Sequence, residues 1–577
     1  MSHEPSFRRE RRFSDKTARE RADNLRRTAP APSRPWDQVA GKSAGSTGAK
    51  VGPDPAGRRA RLEIGMRGAV SPPDLTPVEE PLTADMARHL LRRTSFGARA
   101  SHVEQLIGTP ANEAVAQVLG DAFNDSVYRR PGWADERPPH EHASDAAFEA
   151  FFELNDAWME LYVGSLINEW AIGGPRQRMM LFWHDHFATS YNKYELAAFA
   201  VRHMELLRTH ALGNLKVMIH AITIDPAMLY YLDGFLNDKH APNENYAREL
   251  LELFTMGRTS PEGTPNYDEN DISELARAMT GWTVNLTTLS SDFYPALFDT
   301  ESKTIFGRPG GWTAKTAVDL IFTVRGRQVA HFITEKIFRE FAHQEPDPDV
   351  VAAMAQQFQA GGLITGNLLR TLLQSKYFWD SEGTVGARIK SPIELLVGQV
   401  REYDMPMGGS LAEALYWEST EAGQQVFFPP NVAGWTGHQD WLNTSSLPAR
   451  WNSSSWLTYF GGQEANDALI AWCNRLAPPT DATQAFHLPL AMVQHFIGVP
   501  WQHLNLPTRP SGFGGDLVQF PIPDTVRSEL PREAVALASD MLSGLPWYEW
   551  DITNPGALAL VRFFLSGVVQ RPEYQLM

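Results

Sequence analysis

From residue 83 onward, apolar side chains recur three and four positions apart in one segment after another, the period of a helix with one buried face. The pattern predicts helices over 83–94, 100–120, 145–170, 175–190, 194–211, 213–224, 244–256, 271–281, 313–322, 326–342, 347–360, 365–376, 392–402 and 409–418. Strand-like alternation is confined to short pieces near 282–288 and 304–306, so the fold class is mainly α. Past Phe427 the chain turns to Pro, Gly, Trp and Asn, the composition of a long irregular segment laid over a helical body. Helices are expected again over 454–476, 484–497, 532–543 and 555–570, with 498–531 as an excursion rich in Pro and Gly. With no second linker inside it, residues 76–577 read as one large helical domain with long irregular loops.

The stretch Pro242 to Gly257 shows a helix start, two faces and a stop in one piece. Asn243 or Asn245 is placed to cap the first turn, Glu244 suits the positive end of the helix dipole, and Gly257 suits a left-handed end. Steps of about 100° per residue put Tyr246, Ala247, Leu250, Leu251, Leu253 and Phe254 on one side. Glu244, Asn245, Arg248, Glu249 and Glu252 fall on the other. Glu244, Arg248 and Glu252 are four apart, so the guanidinium is expected to bridge two carboxylates in a buried, structural role. Periodicity alone also permits a plain solvated face.

Two further stretches carry candidate chemistry. One is Met180-Leu181-Phe182-Trp183-His184-Asp185-His186-Phe187; the other runs from Phe428-Pro429-Pro430-Asn431 through Gly434-Trp435 to Trp441-Leu442-Asn443 and Arg450. With the helix above, and with His89 to Gly97, Asp225 to Asp233, Ala276 to Trp282, Lys390 to Glu394 and Arg571 to Leu576, they make an ordered set of motifs. That set resembles the uncharacterised DUF1800 family across roughly residues 83 to 577. The resemblance implies relationship and leaves chemistry open. Many relatives look secreted, and the family often stands beside sulfatase-like proteins, which points to a saccharide or cell-surface polymer as partner. One departure stands out: Phe298 occupies the place before Asp299 where relatives are expected to carry His.

Net charge changes the picture of the N-terminus. The chain of 577 residues carries −16 overall, yet residues 1–70 hold sixteen Lys or Arg against eight Asp or Glu. Segment 28–60 is Ala, Pro, Gly and Ser with almost no large apolar residue, so residues 1–75 read as a disordered basic arm. Arg8-Arg9 and Arg11-Arg12 look like an export signal, but the apolar core of about 7 to 15 residues that such a signal needs does not follow them. The resemblance still permits export. The acidic body opposes a duplex, so nucleic acid is not an expected partner. No apolar run approaches the roughly 18 residues of a membrane span. The single Cys473 excludes an intrachain disulfide. Oligomeric state is left open.

His184 and His186, two apart on a helix, diverge by about 200° and do not ligate one ion together. One reading makes them core histidines satisfied by hydrogen bonds. The other turns one imidazole with Asp185 toward Glu244, Arg248, Glu249 and Glu252, a catalytic cluster able to act as acid and base or to hold a divalent metal. His-Glu-x-x-His, Cys-x-x-Cys, Gly-x-Ser-x-Gly and phosphate-loop signatures are all missing. Asn431, Trp435, Trp441, Asn443 and Arg450 form a candidate binding set, a mixture of indoles, amides and charge that stacks on sugars. The same indoles serve equally to pin the loop to the core. Two functions follow: an enzyme acting on a saccharide or surface polymer, or a non-catalytic assembly or surface-associated scaffold whose polar motifs form a buried network.

Overall fold

Short polar residues set nine of the helix starts among the described residues. Thr83, Ser144, Asn214, Asp225, Asp268, Thr313, Asp347, Ser391 and Asn554 each accept a hydrogen bond from a main-chain N–H two or three residues on, satisfying donors that the first turn leaves open. The structure, a computed structural model, describes residues 73–577 except 125, 127, 141, 381–382 and 509–521. The chain separates into two units, 1–73 and 74–577. The arm expected over 1–75 lies outside the described residues but for its last three.

Among the described residues there are 24 α-helices and two two-stranded antiparallel sheets, so the fold is mainly α. Trp282–Asn285 pairs with Ser290–Phe293, and Lys303–Ile305 with Arg308–Gly310. Two predicted helices divide. The segment 100–120 becomes Ala100–Leu106 and Ala111–Leu119, because Gly108 turns left-handed and Pro110 follows. The segment 454–476 becomes Ser446–Tyr459 and Gln463–Leu476, broken at Gly461, which has φ +101°. A helix at Pro226–Tyr231 was not expected; Asp225 as cap and Pro226 at its first position explain it.

Helix Pro175–His186 is the centre of the body. It packs between Asp145–Ile172 and Ala197–His210, and ten of its twelve residues are buried. It is enclosed although half its residues are polar, so the buried Gln177, Arg178, His184 and His186 must find partners inside the fold. Trp183, fully buried, donates its indole N–H to the Ala211 carbonyl at 2.9 Å, which ties this helix to the end of the next.

Candidate functional site

His184, Asp185 and His186 leave helix Pro175–His186 in three directions. His184 has no solvent exposure, and its Nε2 accepts the Phe427 main-chain N–H at 3.2 Å. That bond places the hydrogen of the neutral ring on Nδ1. Burial, with His203 nearby, pushes its pKa down to about 3. Asp185 Oδ1 accepts the Trp435 main-chain N–H at 2.7 Å, while burial pushes its carboxyl up to about 7. His186 sits with Nε2 3.1 Å from the Phe254 carbonyl and Nδ1 3.1 Å from Lys336 Nζ. The ring therefore donates from Nε2 and accepts at Nδ1. Burial lowers Lys336 to about 8, with Asp185 acting in the opposite sense.

Sequence reasoning missed the partners of this segment. His203, fully buried on Ala197–His210, places Nδ1 2.8 Å from Asp225 Oδ2, and the same carboxylate oxygen caps the next helix at Met228 N, 3.1 Å. The His203 ring lies 6.4 Å from that of His184. The Asp225-Pro226 pair is a helix-start signal that could have found Asp225; His203 and Lys336 gave no signal, because each lies on an ordinary amphipathic helix.

The carboxylate helix begins as expected and then changes type. Asn243 Oδ1 accepts Asn245 N at 2.9 Å, residues Asn245–Glu249 are α, and Leu250–Thr255 form a π-helical turn ended by Gly257 at φ +71°. A π turn is wider, so each residue advances by less than in an α-helix. Glu252 consequently leaves the row of Glu244 and Arg248. Arg248 pairs with Glu244 at 3.2 Å and with Glu269 of the following helix at 2.8 Å, and its side chain is 34% exposed. The expected buried bridge between Glu244 and Glu252 is replaced by an open surface pair. Glu252 is held instead by Arg258 at 2.7 Å and the Tyr267 hydroxyl at 3.2 Å. Glu249, partly buried, has no hydrogen-bond or ion-pair partner among the described residues, and burial followed by the charge of Glu252 raises its pKa. Tyr231 lies close enough for Glu249 to raise its own pKa behind the effect of burial.

The structure thus brings the two stretches together through the apolar side of the second, at the Phe254 carbonyl, and leaves the acids on the far side. Among the described residues, no hydrogen bond or ion pair joins His184 or His186 to Glu244, Glu249 or Glu252. Nor does any group of three or more His, Cys, Asp or Glu come together in a way that could hold a metal ion.

The loop after Phe427 covers the other side of helix Pro175–His186. Phe427 and His438 hold positive φ of 67° and 47°, a conformation that costs a side-chain-bearing residue energy and persists where contacts impose it. Trp435 and Trp441 are each 8% exposed and pack with Ile389 and Leu576, so the indoles pin the loop and present no open stacking face. Asn431 is exposed and turns its amide oxygen to Ala433 N at 2.8 Å; Asn443 does the same for Ser445 and Ser446, opening helix Ser446–Tyr459. Arg450, fully buried, donates to Gln575 Oε1 at 2.8 Å and to the Lys390 carbonyl at 2.7 Å. The five candidate binding residues therefore divide into two exposed amides and three enclosed anchors. Phe298, in the place of the expected His, lies under Lys303, whose ammonium is 4.9 Å from its ring.

The remaining motifs converge on a second enclosed cluster. Arg92 pairs with Glu402 at 2.6 Å, Arg178 with both Glu340 and Glu394, and Arg388 with the same two carboxylates at 3.0 and 3.3 Å. Arg93 donates to the Thr384 and Met577 main-chain oxygens, both at 2.7 Å. Segments 89–97, 390–394, 450 and 571–576, far apart along the chain, are held together there.

No helix among the described residues is long and apolar enough to cross a membrane. The chain matches no curated protein and no solved structure. The sequence model of the family described as a protein of unknown function, DUF1800, matches residues 89–506, a span that takes in the central helix, the π turn and the indole loop. The protein is a member of the DUF1800 family.

Proposed function

We propose that the protein is an enzyme that cleaves a saccharide or cell-surface polymer by general acid–base catalysis, with Glu249 as acid and Glu252 as its charged partner. The observation that carries this reading is the unequal setting of two neighbouring carboxylates. Glu249 is partly buried and without a hydrogen-bond or ion-pair partner among the described residues, and burial, then the charge of Glu252, raises its pKa, the direction a general acid needs. Glu252, bound by Arg258 and Tyr267, is held as an anion that can activate water or stabilise positive charge. Both lie on an α-to-π transition, a distortion that recurs at functional sites. The site is open on the Arg248 and Arg258 side, as a polymer requires. In this reading His184, Asp185 and His186 are positioning residues. They act through the Phe254 carbonyl and the covering loop and do not touch substrate.

The test is release of reducing ends from a panel of bacterial polysaccharides by wild type and by Glu249→Gln. Activity in wild type that falls at least about a thousandfold in the variant, of the order that loss of a general acid causes, supports the assignment; activity that persists in Glu249→Gln refutes it. A second reading, a non-catalytic scaffold, draws support from a different observation: His184, Asp185, Arg93 and Arg450 all bond to the main chain of distant segments and hold the packing in register. It predicts no turnover in either protein.

A further inference from the structure

We infer that the cavity between helix Ala84–Thr94 and segment 497–500 binds a small carboxylate whose apolar body is the size of a single aromatic ring. The site shares no residue with the proposed acid–base pair and does not depend on it.

Asp85, Arg88 and Arg92 are spaced three and four apart, so they lie along one face of helix Ala84–Thr94. That face, with Trp379, Val385 and segment 497–500, lines a cavity of about 70 Å³. One water takes roughly 10–15 Å³ of such space, so about five waters fit, the bulk of one small ring. Met86, Trp379, Val385, Ile497 and Pro500 make the walls apolar. His89, Arg92 and Ile497 are buried and form the floor, whereas the mouth is marked by the exposed Asp85 and the half-buried Val385 and Pro500.

Into this space the two arginines bring unused donors. Arg92, 4% exposed, spends Nε on Glu402 and Nη2 on the His495 carbonyl. Its Nη1 has no hydrogen-bond partner among the described residues and lies 3.6 Å from where a Cβ on Gly498, itself a wall residue, would stand. Glu402 is not a wall residue, and its second oxygen is enclosed, so it meets Arg92 from outside the cavity. Arg88, one turn away, holds Asp85 through Nη2 at 3.0 Å, and its Nε and Nη1 are without partners among the described residues. The Arg88 side chain is 14% exposed and that of Asp85 is 66%, so water screens the carboxylate more than the guanidinium. Burial lowers the Arg88 pKa; Asp85 and Glu402 oppose this and Arg92 reinforces it. His89 donates Nε2–H to the Phe378 carbonyl at 3.2 Å, and burial holds its pKa well down, so the ring adds no charge.

Two guanidinium groups against one water-screened carboxylate disfavour a cationic guest. By the same rule the basic segment 1–70, sixteen Lys or Arg against eight Asp or Glu, is a poor occupant. Apolar walls disfavour a bare inorganic ion, which would leave water with too few contacts in return. A carboxylate on an apolar body answers both conditions. Its head accepts charge-assisted hydrogen bonds from Arg88 and Arg92, and its body displaces water from Trp379 and Ile497.

Titration calorimetry of the full chain with benzoate tests this, with acetate as the head alone and benzyl alcohol as the body alone. Wild type should bind benzoate at least about tenfold more tightly than either. Arg88→Met keeps an apolar stem and removes the donors; it should weaken benzoate at least about tenfold and leave benzyl alcohol unchanged. Val385→Trp, at the mouth, should fill the cavity and abolish binding of both. No binding of benzoate by wild type, binding equal to that of acetate or benzyl alcohol, undiminished affinity in Arg88→Met, or retained binding in Val385→Trp each overturns the assignment. Should one variant fail to fold, the other decides.

Discussion

Gly434 is where the covering loop touches the central helix most closely, and replacing it with alanine tests how the loop is seated. Its φ is +80°, and a Cβ there would lie 2.3 Å from Asp185 Oδ1 and 2.5 Å from the Asp185 carbonyl. Two effects add. A side-chain-bearing residue in the left-handed region costs about 1–2 kcal/mol. Relieving the clash also requires the loop to move away from Asp185, which breaks the 2.7 Å bond from Trp435 N, a charge-assisted bond at pH 8 whose loss costs about 1.5–3 kcal/mol. Gly434→Ala should therefore lose about 2.5–5 kcal/mol in all. Gly437 supplies the control. Its φ is +72°, but a Cβ there meets nothing nearer than Trp441 Nε1 at 3.8 Å, so Gly437→Ala bears the conformational cost alone. Urea unfolding followed by tryptophan fluorescence, with near-ultraviolet circular dichroism for the indoles of the loop, measures both variants against wild type. If Gly434→Ala comes within about 0.5 kcal/mol of Gly437→Ala, the order of a neutral surface change, the contact with Asp185 does not seat the loop.

Two other outcomes follow from the same contacts. Arg248→Ala should lose less than about 1 kcal/mol in urea unfolding, because both its pairs are solvent-screened surface pairs; a loss near 3 kcal/mol would restore the buried bridge that the four-residue spacing suggested. Asp185→Asn keeps an oxygen for Trp435 N and removes the charge. Burial pushes the wild-type Asp185 carboxyl up to about 7, above the ordinary 3.8, so the folded protein binds more protons between those values and wild-type stability falls as pH rises through that window. Relative to wild type the variant should gain stability from pH 5 to 7.5, by up to the order of a few kcal/mol. Lys336, lowered to about 8, acts above this range. Parallel stability curves for the two proteins would show that Asp185 is not perturbed.

The helices were legible because their cause is local. Thr83, Ser144 and Ser391 begin them, the apolar stripe gives each its inner face, and Gly257 ends the carboxylate helix at positive φ as its lack of a Cβ allows. The two divided helices, at Gly108 and Gly461, arose where apolar spacing runs on through a glycine that breaks the backbone, and the short helix Pro226–Tyr231 escaped because six residues are too few to show a period. The site was legible in its components and misread in its arrangement. A uniform 100° step carried through residue 252 aligned Glu252 with Arg248, and the π turn after Glu249 moved it to Arg258 and Tyr267. Likewise Trp435 and Trp441 have the composition of a sugar platform, but only their contacts with Ile389 and Leu576 reveal that they face inward.

By itself the sequence determined the mainly α class, the family, the position of most helices and which side chains carry charge, since propensity, capping and amphipathic period act over a few residues. Tertiary structure alone decided which charges meet. His203 finds Asp225 across 22 residues, Lys336 finds His186 across 150, and Arg450 finds Gln575 across 125. Partners so far apart are selected by the packing of whole helices. The spacing between them records nothing of the pairing, whereas burial makes each unpaired polar atom costly enough that the packed chain must supply one.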